Sequence, residues 1–525
     1  MLNRKPQLRL VGNHESAVAQ IEARAVQEAE TALEAVRRDQ EAGQSFRNLL
    51  AWLQGPVAMK LEADAVEKNV DLAGREVLRL ALQAHFQARG QGSVGAVIEV
   101  KRYDGLVPLK QGRVHSCQYE SLFGAIPLDR QAYSAPGHSS LHPLDAQLNL
   151  PARKYSYPVQ ERLVRSVARG PYEEALQTLH ETTGAHVPKR QAEEIAQAAT
   201  VNFEAFYQSR SAEAQAATQT GSLLVAGVDG KGVPRKKTPE EKEQQRARGR
   251  GEPLAAGEKR QKKQMATVAS VHTQEPWVRT PEQVVQQLLD PEPPTLETPR
   301  PKAEHRRVWA SLEKPKDEVF EEIAAEMIAR DPARDKTVVC LTDGERALQR
   351  RALKFLSAAF PTLLVVLDIM HVLKYLWDAA HCFHDVGTEA ARLWVRERLL
   401  EILRGNVSRV AAGIRQSATK QRLSRSRRKT VDKACNYLLK NKAYMRYDEY
   451  LAAGIPIASG NVEGACGHLV KDRMERTGAI WTEAGAEAVL KLRSIEKSGD
   501  FEEYWDFHLN REREWNYSEE FRVAA

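Results

Sequence analysis

The chain has 525 residues, of which 42% are hydrophobic and 28% charged, and its formal net charge is +7. This length allows roughly two to four domains, the composition is typical of soluble globular proteins, and no apolar run approaches the ~20 residues of a membrane-spanning helix. The five cysteines form no Cys-x-x-Cys pair and the start MLNRKPQLRLVGNHES lacks a secretory pattern, so we expect a cytoplasmic protein without disulfides and without membrane association.

The N-terminal part of the chain is predicted to be helical and then β-rich. Apolar residues recur at helical spacing over 14–42, and a second amphipathic helix is expected over about 56–90. Residues 96–157 contain short β-type segments separated by glycine and proline. We therefore expect packing or oligomerisation helices followed by a small β region.

Residues 158–215 are predicted to be helical and to contain a helix-turn-helix. Gly184 lies in the expected turn, and Pro188 would start the second helix. Lys189 and Arg190 then fall in the first turn of that helix, where they could reach a DNA groove or phosphates. The alternative is a helical hairpin that only packs, since many such hairpins bind nothing.

Three hydrophobic segments further along the chain are each followed by an aspartate. GSLLVAGV precedes Asp229, TVVCLT precedes Asp343, and TLLVVL precedes Asp368. Each segment predicts a buried strand that ends at its aspartate, and in open α/β sheets sites form beyond the carboxyl ends of strands. Carboxylates gathered there repel one another unless a cation lies between them, and oxygen ligands favour Mg²⁺ or Mn²⁺. The alternative for each Asp-Gly pair is a simple turn.

The remaining segments supply further strands and helices. QMATVASVHTQEPW (264–277) indicates another strand, and PEPPTLETPRPK (291–302) a proline-rich connector. Residues 304–330 are predicted to form one helix, the region 372–450 is almost wholly helical, and SGNVEGACGHLVKDRM (459–474) begins a last helix.

Two basic tracts indicate a polyanionic partner. Residues 231–264 carry twelve Lys and Arg against five Asp and Glu, and residues 413–433 carry eight against Asp432 alone. Such density is typical of nucleic-acid binding through phosphates, although either tract could instead be a solvated loop. The predicted DNA contacts in these tracts are Lys231, Arg235, Lys236, Lys237, Arg425, Arg427 and Arg428.

Four motifs occur in the second half of the chain: VDGKGVP (228–234), LTDGERAL (341–348), LDIMHVLKYLW (367–377) and GNVEGACGHLVKDRMERTG (460–478). In this order they resemble the ISKra family of bacterial insertion-sequence transposases, related to the Mutator-like group, and the likeness extends over most of the chain. It implies a DDE transposase with a multidomain α/β fold. An RNase H-like mixed-sheet core would carry an all-α insertion and follow helical and small β N-terminal regions.

The resemblance also assigns the catalytic residues. Asp229, Asp343 and Glu463 would be the metal-binding triad, and Asp368 and His371 match an Asp-x-x-His element of the catalytic site. Two Mg²⁺ or Mn²⁺ ions about 3.5–4 Å apart would support in-line attack by water or a DNA 3′-hydroxyl on a phosphodiester. His371 could instead be a structural, hydrogen-bonded residue.

The chain departs from the family pattern at several positions. Gly467 and Lys374 stand where Arg and Glu are expected, and Cys117 stands alone where the family often has a Cys-x-x-Cys pair, so any zinc-finger-like region is degenerate. Lys471 and Arg473 are predicted phosphate contacts, with solvated helix positions as the alternative.

The resemblance implies a domain order and a set of partners. The partners are double-stranded DNA, as terminal inverted repeats and target, and further copies of the chain on that DNA in a bacterial, nucleoid-associated setting. The alternatives are an RNase H-like nuclease or resolvase, and a domesticated DNA-binding protein that does not cut. The predicted domains are a helical region (1–95), a small β-rich region (96–157), a helix-turn-helix-like region (158–215), the first part of the catalytic core (221–371), the helical insertion (372–455), the final core helix with Glu463 (456–495) and a C-terminal tail (496–525).

Overall fold

The computed structural model describes residues 8–10, 40–102, 105–213, 221–247, 263–292, 298–517 and 519–523. Within these residues the chain forms two compact units, Met1–Asn202 with Glu502–Ala525, and Phe203–Phe501. Each unit contains one five-stranded sheet and several helices. Most of the helix predicted over 14–42 lies outside the described residues. No helix among the described residues combines the length and apolarity that a membrane crossing needs.

The strands and helices are numbered in chain order. The strands are β1 (Leu8–Leu10), β2 (Val97–Arg102), β3 (Gly105–Ser121), β4 (Gly124–Ser134), β5 (Leu223–Pro234), β6 (Lys263–Gln274), β7 (Glu304–Ser311), β8 (Thr337–Thr342), β9 (Leu364–Leu367) and β10 (Glu519–Val523). The helices are α1 (Gln40–Leu53), α2 (Ala63–Ala88), α3 (Pro143–Gln147), α4 (Tyr157–Arg169), α5 (Tyr172–Thr182), α6 (Lys189–Ala198), α7 (Phe203–Glu213), α8 (Pro239–Ala247), α9 (Pro281–Leu289), α10 (Lys316–Arg330), α11 (Arg346–Arg351), α12 (Ile369–Ala380), α13 (Glu389–Leu403), α14 (Val407–Lys420), α15 (Arg425–Asn441), α16 (Tyr447–Ala452), α17 (Gly460–Ala465), α18 (Asp472–Met474), α19 (Glu483–Ser498) and α20 (Phe501–Asn516). Turns of π-helix follow two of them, over Ala352–Leu356 and Cys466–Lys471.

The first unit contains a sheet with the strand order β1-β10-β2-β3-β4. Strands β2, β3 and β4 are consecutive antiparallel neighbours and lie in the region predicted to be β-rich. Strand β10 pairs with β2, and α20 precedes it, so the segment predicted to be a short tail contributes ordered elements to this unit. Tyr504 on α20 is buried, and its hydroxyl donates a hydrogen bond to the carbonyl oxygen of Ala199 at 2.7 Å.

Helices α5 and α6 form the helical pair predicted as a helix-turn-helix. Gly184 lies between them, and its N–H donates to the carbonyl oxygen of Leu122 at 2.8 Å. A side chain at Gly184 would collide with the backbone of Phe123, which explains the glycine in this turn. Pro188 precedes the first helical residue of α6 and acts as its N-cap position.

The second unit contains a mixed sheet with the strand order β7-β6-β5-β8-β9. Strand β5 pairs antiparallel with β6 along twelve residues, from Leu223 to Pro234, and parallel with β8. Asp229 therefore lies within β5, and the expectation that the strand ends there is wrong. The chain stays extended past the charge because β6 continues to supply backbone hydrogen-bond partners. What ends next to Asp229 is the parallel pairing with β8.

The segment 304–330, predicted to be one helix, divides into β7 and α10. Val308, Trp309 and Ala310 on β7 are buried, and the strand pairs antiparallel with β6. Pro315 then serves as the N-cap of α10. A proline disfavours helical conformation in the residue before it, so one helix does not run through Pro315. The apolar residues of β7 fit the buried face of a strand as well as that of a helix.

Helices of the segment between β9 and α17 share a buried core with this sheet. Between β9 and α17 the ordered elements are all helical, α12 to α16 with one 3₁₀ turn. Apolar residues of β5, β8 and β9 share a buried cluster with residues of these helices, among them Leu376, Val395, Leu399, Val431 and Leu438. The helical segment therefore packs directly against β5, β8 and β9.

Candidate metal centre

Three aspartates lie where the parallel pairing of β5, β8 and β9 ends in the second sheet. Val228 on β5 is paired with Thr342 on β8, and Thr342 is paired with Leu367 on β9. The next residues in the three segments are Asp229, Asp343 and Asp368. Because the register of parallel strands sets neighbours side by side, the three aspartates follow one another across the sheet.

Asp229 and Asp343 are half-buried and interact electrostatically. Burial raises the pKa of Asp343 and the charge of Asp229 raises it further, whereas the backbone N–H of Glu345, which donates to Oδ1 at 2.7 Å, lowers it. Oδ1 of Asp229 accepts a hydrogen bond from the N–H of Gly230 at 2.6 Å, and Oδ2 accepts one from the thiol of Cys466 at 3.3 Å. The two carboxylates therefore lie in a partly desolvated environment and repel one another.

Asp368 is fully buried and caps helix α12. Its Oδ1 accepts a hydrogen bond from the N–H of Met370 at 2.8 Å, and its Oδ2 accepts one from the hydroxyl of Ser459. Nδ1 of His371 lies 3.6 Å from Oδ2, an ion-pair distance longer than a hydrogen bond. Interaction with Asp368 raises the pKa of His371, and burial opposes this.

Glu463 lies on α17 and faces the same group of charges. Burial raises its pKa, the charge of Asp368 raises it further, and His371 lowers it. Ligand atoms of Asp368, His371 and Glu463 lie within 4.8 Å of one another. The π-helical turn that follows α17 is a feature often found at functional sites.

These side chains form a donor set that suits a divalent cation. Within the described parts of the chain, Asp368, His371 and Glu463 are the one group of three whose ligand atoms meet the 4.8 Å distance, and Asp229 and Asp343 of the predicted triad do not belong to it. Asp229 raises the pKa of both Asp343 and Glu463, so the acidic residues predicted as a triad share one electrostatic environment. Carboxylates with raised pKa values gain most from a nearby cation, and oxygen-rich donor sets favour Mg²⁺ or Mn²⁺.

The helical segment supports the centre through Tyr437 on α15. Its hydroxyl donates a hydrogen bond to the backbone carbonyl of Asp343 at 2.8 Å, and its ring stacks on Tyr375 with centroids 3.9 Å apart. Gly344 has φ +89°, and a Cβ there would lie 2.8 Å from the Tyr437 hydroxyl. Sequence reasoning did not identify Tyr437 or Ser459. The position of Ser459 directly before the GNVEG motif is the one signal that pointed to it.

The predicted DNA contacts in the first unit lie at the start of α6. The ammonium of Lys189 forms an ion pair with Glu173, and the guanidinium of Arg190 lies 3.3 Å from Glu194. The Arg190 side chain is 89% exposed. Their contact with DNA stays a prediction.

The predicted contacts in the basic tracts of the second unit differ in exposure. Arg425 and Arg427 are exposed at the start of α15, whereas Arg428 lies 3.5 Å from Asp432. Arg235 is paired with Glu241 at 2.5 Å. Lys236 is exposed, Lys231 and Lys237 are half-buried, and residues 248–262 of the first tract lie outside the described residues.

Two predicted phosphate contacts follow Glu463. Lys471 is exposed, but Arg473 is buried with its guanidinium 4.8 Å from the ring centre of Trp481. Trp481 is itself buried and donates from Nε1 to the carbonyl oxygen of Met474 at 3.1 Å. A phosphate could reach Arg473 only if this packing rearranged.

No protein-family model and no curated protein matches the sequence. Among solved structures, the chain is similar to the Drosophila P element transposase strand transfer complex, with 9% sequence identity over 68% of this chain and 82% of that chain. The TM-score of this match is 0.22. So low a score carries no argument, and the functional conclusion therefore depends on the geometry of the centre.

Proposed function

We propose that this protein is a DDE transposase of an insertion sequence, which cleaves and joins DNA with divalent metal ions at an RNase H-like core. The observation that carries the proposal is the register of Val228, Thr342 and Leu367. Each of these residues is followed by an aspartate, so three aspartates come at the same end of the parallel strands. The mixed sheet, the helical segment before α17 and the ISKra-like motifs support the same reading.

Asp229, Asp343 and Glu463 would hold Mg²⁺ or Mn²⁺, with two ions in the working enzyme. Such ions activate an attacking water or DNA 3′-hydroxyl and stabilise the leaving oxygen. The raised pKa values of Asp343 and Glu463 support this role, because both carboxylates lie where negative charge is costly without a cation.

The protein's other groups would orient these ligands and the DNA. Asp368 is held by two hydrogen bonds and lies 3.6 Å from Nδ1 of His371, so its charge stabilises the protonated imidazole. A histidine with a raised pKa carries positive charge more readily near neutral pH, which suits contact with a phosphate. Burial and the charge of Asp229 raise the pKa of the Cys466 thiol, and the charge of Lys231 opposes them, so Lys231 adds positive charge near Asp229.

Double-stranded DNA is the proposed partner, bound at the element's terminal repeats and at the target. Exposed arginines of α15, Arg425 and Arg427, are available for phosphate contacts. A chain that acts on two element ends would work as an oligomer on DNA.

The decisive experiment is Mn²⁺-dependent cleavage of a plasmid that carries the flanking element ends. Asp343→Ala should lower the cleavage rate at least about 10³-fold, as losses of central catalytic groups do. Asp378→Ala is the matched control, since Asp378 is an exposed aspartate on α12. Both variants should bind DNA equally in EDTA. Cleavage retained by Asp343→Ala would refute the proposed centre, and cleavage without joining of paired ends would favour an RNase H-like nuclease.

A further inference from the structure

A cavity of about 440 Å³ lies in the second unit, next to the segment that leads into α17. Gly227 and Ser270 from β5 and β6 contribute to its lining, together with Trp277, Arg279 and Asn461. Gly227 is two residues before Asp229 on β5. Because side chains on a strand alternate between its faces, the cavity lies along the same face of β5 as Asp229.

The cavity holds an arginine that forms no ion pair with any described residue. Arg279 stacks its guanidinium on the Trp277 ring at 4.3 Å, and its Nε is buried without a hydrogen-bond partner among the described residues. Within the same residues no carboxylate forms an ion pair with Arg279. Burial, and then the charge of Arg300, lower the pKa of Arg279 to about 10. An unpaired, desolvated charge is costly unless an anion binds beside it.

Neutral hydrogen-bonding groups line the same cavity. The hydroxyl of Ser270 is buried and has no hydrogen-bond partner in the described part of the chain. Nε2 of His272 lies 2.9 Å from the side-chain nitrogen of Asn461, and burial lowers the pKa of His272 to about 4, so its ring is neutral near pH 7. The cavity therefore offers hydroxyl and amide groups and excess positive charge, which together suit an anion.

A second, wider cavity of about 840 Å³ adjoins the first and shares Arg300, Gln274 and Asn461 with it. Lys302, Arg306 and Lys497 also line the wider cavity, and Glu496 supplies the one carboxylate among its described lining residues. Together the two cavities are much larger than one phosphate ion. Their extent and sign of charge fit a run of linked phosphates.

We propose that Arg279 and Arg300 bind a phosphate group of a nucleic-acid strand, beside the helix that carries Glu463. Guanidinium groups suit this role because their fork of N–H donors matches the oxygens of a phosphate. The assignment of the phosphate to DNA rests on the proposed function. The phosphate site itself does not, because it is defined by residues outside the carboxylate cluster.

The test measures the binding of a short, fluorescein-labelled single-stranded oligodeoxynucleotide in EDTA, which separates binding from any metal-dependent cleavage. Arg279→Gln and Arg300→Gln should each weaken binding about tenfold or more, as expected for loss of a hydrogen bond to a charged group. The plot of log Kobs against log salt concentration should become shallower by about 0.7 for each lost contact.

Arg392→Gln is the control, because it removes the same charge from α13 and Arg392 lines neither cavity. Unchanged affinity in both cavity variants, or an equal loss in Arg392→Gln, would overturn the proposal. If Arg279→Gln fails to fold, the exposed Arg300 decides the test alone.

A second measurement separates DNA phosphate from free phosphate. Inorganic phosphate, compared with chloride at equal ionic strength, should raise the Tm of the wild type and not that of a variant carrying both Arg279→Gln and Arg300→Gln, because a ligand stabilises the folded state that binds it. Phosphate stabilisation without any change in oligonucleotide affinity would overturn the assignment to a nucleic-acid strand. If the arginine variants weaken oligonucleotide binding as expected but the wild type never cleaves DNA, the proposed function is contradicted. The phosphate site is not.

Discussion

The hydroxyl of Ser459 donates a hydrogen bond to Oδ2 of Asp368, and this contact joins segments 91 residues apart in the chain. Asp368 follows β9 and caps α12, whereas Ser459 immediately precedes α17. Both side chains are buried. The bond therefore fixes the edge of the sheet relative to the helix that carries Glu463.

Replacement of Ser459 by alanine should lower activity through the position of Asp368. The substitution removes one of the two donors to a buried carboxylate, and loss of such a supporting contact typically costs about 10–100-fold in activity or metal affinity. We expect kcat for Mn²⁺-dependent cleavage to fall in this range while KM for DNA stays unchanged. Ser494→Ala is the control, since its buried hydroxyl donates to the carbonyl of Leu490 within α19 and to no other described residue. Equal effects of the two substitutions would exclude the positioning role.

Neutralising Asp343 should stabilise the metal-free protein. Burial, and then the charge of Asp229, raise the pKa of Asp343, so the folded state holds its proton more tightly than the unfolded state. Stability should therefore fall as the pH rises from about 4, where an unperturbed aspartate loses its proton. Asp343→Asn should raise the Tm in EDTA at pH 7 and flatten this decline.

The effect of Mg²⁺ on the Tm tests the same centre. Mg²⁺ should raise the Tm of the wild type more than that of Asp343→Asn, because a cation relieves the repulsion that the substitution already removes. Asp378→Asn on the exposed face of α12 should behave as the wild type in both conditions. A lower Tm for Asp343→Asn in EDTA would show that the carboxylate stabilises the fold.

Replacement of Gly344 by alanine should destabilise the second unit strongly. Its φ of +89° is unfavourable for alanine, and the added Cβ would lie 2.8 Å from the hydroxyl of Tyr437 and 2.9 Å from Cδ1 of Leu367. Strain and crowding together should lower the free energy of unfolding by about 3 kcal/mol in urea denaturation.

Gly387→Ala separates the two contributions to that loss. Gly387 has φ +81°, and a Cβ there would have no neighbour within 4 Å. We expect its cost to be about 1–2 kcal/mol, from backbone strain alone. If the two alanine variants are equally destabilised, contact with Tyr437 does not constrain the turn after Asp343.

Removal of the exposed arginines of α15 should weaken DNA binding in a salt-dependent way. Arg425 and Arg427 are exposed and have no ion pair with another described residue, whereas Arg428 lies 3.5 Å from Asp432. In double-stranded DNA binding, each lost phosphate contact should make the salt slope shallower by about 0.9. We expect this for Arg425→Gln and Arg427→Gln, and a smaller change for Arg428→Gln. An unchanged slope in the first two would place the DNA elsewhere.

Local sequence predicted the elements of the centre better than their extent. The segments before Asp343 and Asp368 form β8 and β9, as predicted. Short continuous apolar runs that are rich in β-branched residues favour buried strands. The prediction was wrong for β5, which continues past Asp229, and for β7, which was assigned to a helix. In both cases the antiparallel partner β6 decides the conformation, and that pairing is not encoded in the neighbouring residues.

The residues that can form a metal site, and the alternation of strands and helices, could be read from the chain alone, since aspartates and hydropathy patterns are local features. Tertiary packing sets the register of Val228, Thr342 and Leu367 and the contact of Ser459 with Asp368, and it leaves Arg279 without an ion pair to any described residue. Register, long-range hydrogen bonds and desolvation depend on which distant segments pack together. No single stretch of the chain contains that information.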